Sequence, residues 1–287
     1  MTQLVLHWSM ANSGDSLGSI GWDLERDGWP GFIAKHVRPA LLWCRASGVT
    51  PALLIHHPFG QYTQEPMHLD GWDYALAADA NWLLNNFSSL TGWQSVTREV
   101  KVYGYVGGAD LTPRLRDLPP AELRRMVMRN LRPLADAGFR GVYVDYAENA
   151  ICHEYKGINA AQSNCRSVDV ITLAVADRMF PEPCGIEAAP RAFPAFRSLW
   201  GRNVIAGDDT WQHRYGPTNR NPNHAALGYD RGVLTGSVWR TLNYSDDAAG
   251  TVQAARAIAA EGCVPCVYSQ PLIRAGVKAS ELLEGVN

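Results

Sequence analysis

Short apolar runs alternate with longer stretches of helical periodicity along the whole chain. Residues 4–9 read as a first strand. Residues 29–47 follow as an amphipathic helix, with Phe32, Ile33, Val37, Leu41, Leu42 and Cys44 at helical spacing and Gly48 as its stop. A second strand covers 51–57, closed by Pro58 and Gly60, and a long helix spans 70–90. The third strand is 101–107. Pro119 and Pro120 then open a strong helix, 121–137, that Gly138 terminates. Strand four is 141–145, a helix capped by Ser167 or Asp169 runs to 179, and strand five is 183–187. A short helix at 193–200 precedes strand six at 203–209, and 211–230 reads as a long loop. Strand seven falls within 232–242, an Ala-rich helix begins at Asp246 or Asp247 and runs to 261, strand eight is 263–269, and a last helix covers 271–283.

Eight strands alternating with helices argue for a parallel sheet. Two closures compete, a (β/α)8 barrel and an open doubly wound sheet. The open sheet should carry G-x-G-x-x-G after its first strand, and residues 9–18 lack that spacing. No phosphate-binding G-x-x-x-x-G-K-[ST] loop stands elsewhere. The length of 287 residues, near the roughly 250 of a barrel, favours closure. No linker or repeat divides the chain, so 1–287 is expected to be one α/β domain, a single TIM barrel.

Charge and targeting signals narrow the class further. A net charge of −2 with interspersed signs gives no case for nucleic acid or an anionic membrane as partner. No apolar run reaches the roughly 18 residues of a membrane span, and the start of the chain lacks a signal-peptide pattern. A soluble protein is expected, cytoplasmic, or secreted if a leader has been removed. Six scattered cysteines do not make a disulfide framework. Cys263-Val-Pro-Cys266 begins a strand where a redox motif would begin a helix, and Cys152 with Cys165 is the one pairing left open.

Polar residues gather where strands end. Strand two ends in His56-His57, strand three carries Tyr105, strand four ends in Asp145, strand five in Glu187 and strand six in Asp208-Asp209. Trp211 follows strand six and Trp239 lies in strand seven. The starts of these strands carry far less. In an α/β barrel the carboxyl ends carry the chemistry, which points to an enzyme. Alternation within strand four puts Val142 and Val144 on the face opposite Tyr143 and Asp145. Asp145 and Glu187 then form a carboxylate pair on adjacent strands, the arrangement that glycoside hydrolysis uses. Ten tryptophans fit aromatic sugar platforms, or simply a large core. His57, Tyr105, Asp208, Asp209, Trp211 and Trp239 are the candidate substrate contacts. No cofactor or metal is called for: His7 has no H-x-H partner, and Asp208-Asp209 lack further ligands.

The stretch Gly138-Phe139-Arg140-Gly141-Val142-Tyr143-Val144-Asp145 resembles the strand-four G-F-x-G-[VI]-[FY]-[LV]-D signature of several glycosidase-like (β/α)8 families. It is loosely similar to the G-F-R-x-D strand of the alpha-amylase superfamily. That resemblance implies a glycosidase acting on a carbohydrate, with Asp145 as nucleophile, Glu187 as acid/base and, loosely, Asp208 or Asp209 as stabiliser. Arg140 stands five residues before Asp145 rather than two, and strand seven carries no third Asp, so the amylase motif is met only in part. The rival expectation is a non-catalytic barrel, a carbohydrate-binding or structural component of a larger assembly.

Overall fold

The computed structural model describes residues 3–8, 28–56, 90, 92–106, 119–144, 175–176, 178–182, 185–187, 205–210, 238–242, 248–260 and 264–285. Eight parallel strands close on themselves in sequence order. They are β1 (Gln3–Trp8), β2 (Thr50–His56), β3 (Lys101–Val106) and β4 (Gly141–Val144). β5 (Gly185–Glu187), β6 (Ile205–Thr210), β7 (Val238–Leu242) and β8 (Val264–Val267) complete the ring. Leu6 pairs with Leu53 of β2 on one side and Val267 of β8 on the other, and that double pairing shuts the barrel. The closed alternative of the sequence reading is the one the chain adopts.

Period-two alternation divides the strand residues between two cores. Leu4, Leu6, Trp8, Leu53, Ile55, Val102 and Val142 face outward into a large cluster with the helices. Val5, Ala52, Leu54, Tyr103, Val264 and Cys266 form a second cluster made of strand residues alone, the filling of the barrel. Val142 thus lies on the helix side, as the alternation in strand four requires. The barrel interior is packed with side chains, as a ring of eight strands leaves room for no more than that.

The helices that shield the outer face are α1 (Arg38–Ala46), α2 (Trp93–Thr97), α3 (Pro120–Asp136), α4 (Ala248–Ala260) and α5 (Ser269–Arg274). Residues 28–32 are helical and lead through a π-helical turn, Ile33–Val37, into α1. Pro120 at the start of α3 supplies a preset φ where no N–H is needed. The five-residue α2 has no periodic signature of its own. It is held by burial of Trp93 and Val96, which is why pattern alone does not reveal it. The last expected helix, 271–283, is two pieces: α5 and a 3₁₀ turn, Ala279–Leu283. Gly276, at φ 73°, stops the first piece. The expected helices at 70–90 and 193–200 and the loop at 211–230 lie outside the described residues, as do Cys152 and Cys165.

One ending recurs. After α1, Gly48 donates to Arg45 O and Val49 to Cys44 O. After α3, Gly138 donates to Ala135 O and Phe139 to Leu134 O. After α5, Gly276 donates to Ile273 O and Val277 to Leu272 O. Each is a left-handed glycine followed by an apolar residue that tucks back against the helix. In the first two cases the next element is a strand, so this motif aims the chain into the sheet.

Gly138 is the tightest of the three. A Cβ there would lie 2.8 Å from Thr97 Oγ1, which itself donates to Ala137 O at 2.8 Å. Gly138→Ala therefore meets both a left-handed backbone, costing about 1–2 kcal/mol, and a displaced hydrogen bond worth about 1 kcal/mol. Urea unfolding should show a loss of about 2–3 kcal/mol, whereas Gly48→Ala, where a Cβ meets no neighbour, should lose only the backbone part.

Candidate active site

The strands place some of the sequence-predicted residues toward their carboxyl ends and one, Trp239, near an amino end. Glu187 is the last residue of β5, Asp208 and Asp209 lie in the second half of β6, Tyr105 is next to last in β3, and Trp239 is second in β7. His57, Asp145 and Trp211 lie outside the described residues. Each directly follows a described stretch that ends in His56, Val144 or Thr210. Val144 pairs with Ile186, the residue before Glu187.

The register also separates residues that sequence treats alike. Glu187 pairs with Gly207, Gly207 with Trp239, and Trp239 with Val264, a member of the interior cluster. Asp209 pairs with Thr241, and Thr241 with Cys266, also interior. Asp208 instead pairs with Arg240, and Arg240 with Pro265, in the alternate row. Glu187, Asp209 and Trp239 thus occupy interior-row positions on neighbouring strands, and Asp208 does not. Tyr105 joins that row through the Leu54–Tyr103 pair two residues earlier.

Two positions outside the list of candidate contacts stand near the carboxyl end of the barrel. His7 pairs with Leu54 on the interior row, is buried, and lies against Tyr268, ring centroids 5.0 Å apart. Burial pulls its pKa down to about 3, so it is neutral at physiological pH. Ser269, at the start of α5 just beyond β8, is 1% exposed, and its Oγ has no hydrogen-bond partner among the described residues. A buried hydroxyl without a partner is costly, and a bound molecule or water would satisfy it. Behind it Gln270 hydrogen-bonds His36 Nδ1 at 2.5 Å, tying the start of α5 to the π-helical turn. Among the described residues no group of three His, Cys, Asp or Glu is placed to hold a metal ion.

The opposite end of the barrel carries a different polar cluster. Glu182, three residues before β5, accepts from the Tyr103 hydroxyl, from Lys101 Nζ at 3.0 Å and from Arg140 Nε at 3.1 Å. Burial pushes the Glu182 carboxyl up, but these three donors outweigh it and hold the group below the usual carboxylate range. Burial first, and the Glu182 charge second, push the Tyr103 hydroxyl well above its ordinary value. The cluster plugs the amino-terminal mouth, where polar groups serve stability rather than chemistry.

Fold and strand-end polarity together define an α/β barrel with its candidate site over the carboxyl ends of the strands. Among solved structures, the chain is similar to morphinone reductase, at 12% identity over 99% of this chain and 90% of that one, TM-score 0.46. It is similar to morphinone reductase in complex with tetrahydroNAD, at 11% identity over 99% and 91%, TM-score 0.45. The old yellow enzyme homologue of Zymomonas mobilis follows at 9% identity over 92% and 83%, TM-score 0.45. No protein-family model matches the chain, and no curated protein matches it. Likeness at this level carries no reaction or ligand across; the barrel rests on the strand pairing itself.

These findings correct the glycosidase assignment and, with it, carbohydrate as the expected partner. The solved structures reported above bear the names morphinone reductase and old yellow enzyme homologue, and none of these names is a glycosidase's. The physical reason lies in the motif that suggested a glycosidase. Gly138 is the left-handed helix stop, Phe139 is buried against Trp93, Arg140 binds Glu182, and Val142 packs on the helix side. Those residues make a helix-to-strand transition that a barrel of any chemistry can use. The tryptophans follow suit: Trp8, Trp29 and Trp93 are buried with Phe32 and Phe139 in edge-to-face contacts, and Trp43 Nε1 donates to Val277 O. Packing, not sugar stacking, accounts for all four whose side chains are described.

Two outcomes follow. His7 is neutral when folded down to about pH 3 but protonates near pH 6.5 when unfolded, so between those values the unfolded state binds more protons. Its contribution to stability is therefore intact above pH 6.5 and lost as pH falls through that window. At pH 4.5 the loss should be about 2–3 kcal/mol, measured as the difference in urea unfolding between wild type and His7→Gln at pH 7.5 and 4.5. At the other mouth, Glu182→Ala strands the Tyr103 hydroxyl and leaves Lys101 and Arg140 facing each other. It should cost about 1–3 kcal/mol in the same assay.

Proposed function

We propose that this chain is a (β/α)8-barrel enzyme that performs acid–base chemistry on a small polar molecule held over the carboxyl ends of its strands. The observation that carries the reading is the register that assigns Glu187 and Asp209 to interior-row positions on adjacent strands, with Asp145 following directly on the strand beside Glu187. With more than one carboxylate at the same mouth, the roles of proton donor and proton acceptor are divided between them. One group then donates a proton while another accepts, which is the division of labour that acid–base catalysis needs at neutral pH. The hydroxyl of Ser269 supplies a hydrogen bond to the bound molecule. Tyr105, His57, Trp211 and Trp239 are the proposed substrate contacts.

The test begins with the wild-type protein screened for hydrolysis, elimination, isomerisation and nicotinamide-linked reduction. The active assay is then repeated with Asp145→Asn, Glu187→Gln and Asp209→Asn. At least one variant should lose about 10²–10⁴-fold in kcat while its melting temperature holds or rises, because functional carboxylates are held at a cost to stability. Near-wild-type turnover in all three ends the acid–base reading. A protein whose one activity is oxidation of a reduced nicotinamide, untouched by the three substitutions, would instead join it to the reductases it resembles in outline.

A further inference from the structure

Outside the barrel, α3 and the helical residues 175–176 and 178–179 enclose an open groove of about 470 Å³. The α3 wall is Arg124, Met128 and Arg132, four residues apart and so on one helix face. Arg124 and Arg132 stand two turns apart, roughly 12 Å along the axis. The facing wall is Val175, Arg178 and Met179, again one helix face, and Ala135 with Asp136 closes one end. The centre is apolar: Val175 is buried, Met179 is half-buried, and Met128 is one of two large hydrophobic side chains the described structure leaves exposed.

The electrostatics are lopsided. Three arginines meet one carboxylate, Asp136, around the groove. Elsewhere on the described surface four arginines are matched, Arg38 and Arg45 binding Glu99 at 2.5 and 2.6 Å, Arg140 binding Glu182 and Arg256 binding Glu284, while Arg98, Arg125 and Arg129 form no ion pair among the described residues. Among the described residues Arg124, Arg132 and Arg178 form no ion pair. Guanidinium groups hold carboxylate and sulfonate oxygens in bidentate fashion and are weakly hydrated, so they suit an anion brought onto an apolar floor. Methionine adapts its shape to varied apolar bodies. The volume falls within the roughly 300–1,000 Å³ of small-molecule sites and is too small for the face of a protein partner.

We propose that this groove binds an amphipathic small anion, a carboxylate or sulfonate head on an apolar body of about ten carbons. The head lies between Arg132 and Arg178, and the body lies on Met128, Val175 and Met179. The site stands apart from the barrel mouth and does not depend on the reading of the carboxylates there.

The experiment uses the full chain and the fluorescent probe 8-anilinonaphthalene-1-sulfonate, with sodium decanoate as competitor. Saturable binding at one site, with Kd of about 10–100 μM, is expected, and decanoate should displace the probe while inorganic phosphate at the same concentration should not. Arg132→Glu and Arg178→Glu should each weaken binding at least tenfold, and Met128→Asp should do likewise, with circular dichroism and melting temperature unchanged because all three residues are exposed. Arg45→Glu, on a different face, should leave binding intact. Equal displacement by phosphate overturns the apolar half of the proposal. Probe binding that survives all three groove substitutions, or the absence of any saturable binding, overturns the whole.

Discussion

Everything in this molecule depends on closing eight parallel strands into a ring, because a parallel sheet must be covered on both faces. The outer face is covered by helices; the inner one has only itself. Val5, Ala52, Leu54, Val264 and Cys266 are small or medium side chains that fill a narrow space without strain, and Tyr103 is the large exception. Its hydroxyl must find a partner, and Glu182 provides one at the amino-terminal mouth. The polar plug is thus a consequence of putting an aromatic ring in the interior, and Lys101 and Arg140 in turn balance the carboxylate that the ring demands.

The two ends of the barrel therefore hold polar groups for different reasons. At the amino-terminal end the charges satisfy one another, and their pKa shifts favour the ionised carboxylate and the neutral phenol. Such a cluster stabilises and has nothing left over for a ligand. At the carboxyl end, the buried Ser269 hydroxyl lacks a partner among the described residues. Unmet hydrogen-bonding capacity at one mouth and saturated capacity at the other is the asymmetry expected of a barrel whose ligand enters from one side.

Much of the fold was legible because its signals are local. Gly48 and Gly138 announce helix ends, Pro119-Pro120 announces a helix start, and the period-two runs place every strand within two residues of where pairing begins or ends, β7 excepted, which lies inside its broader interval. What stayed hidden was not local. The α2 helix exists through burial of Trp93 against Trp29 and Phe139, partners far away in sequence. Glu182 reads as one more acid in a turn until Tyr103 and Arg140 converge on it. The strand-four motif misled for the opposite reason: its residues are so well explained by the helix-to-strand turn that they say nothing about what the following Asp does. The difference between Asp208 and Asp209 needed the register, which sequence cannot supply for a strand with acids on both rows.

The seam where the ring shuts lies between the first strand and the last. Besides β1–β8 pairing, Trp43 of α1 donates to Val277, His36 holds Gln270, and Arg256 of α4 is clamped by Glu284 and the Glu281 carbonyl. The segment 264–285 is thus wall, latch and helix cover at once. A chain emerging from the ribosome cannot complete its first strand's pairing until that segment is free, so β1 and the apolar face of α1 stay uncovered for most of synthesis. Until then the edge of β1 that pairs with β8 carries unpaired backbone groups, the kind of strand edge that invites pairing with another chain.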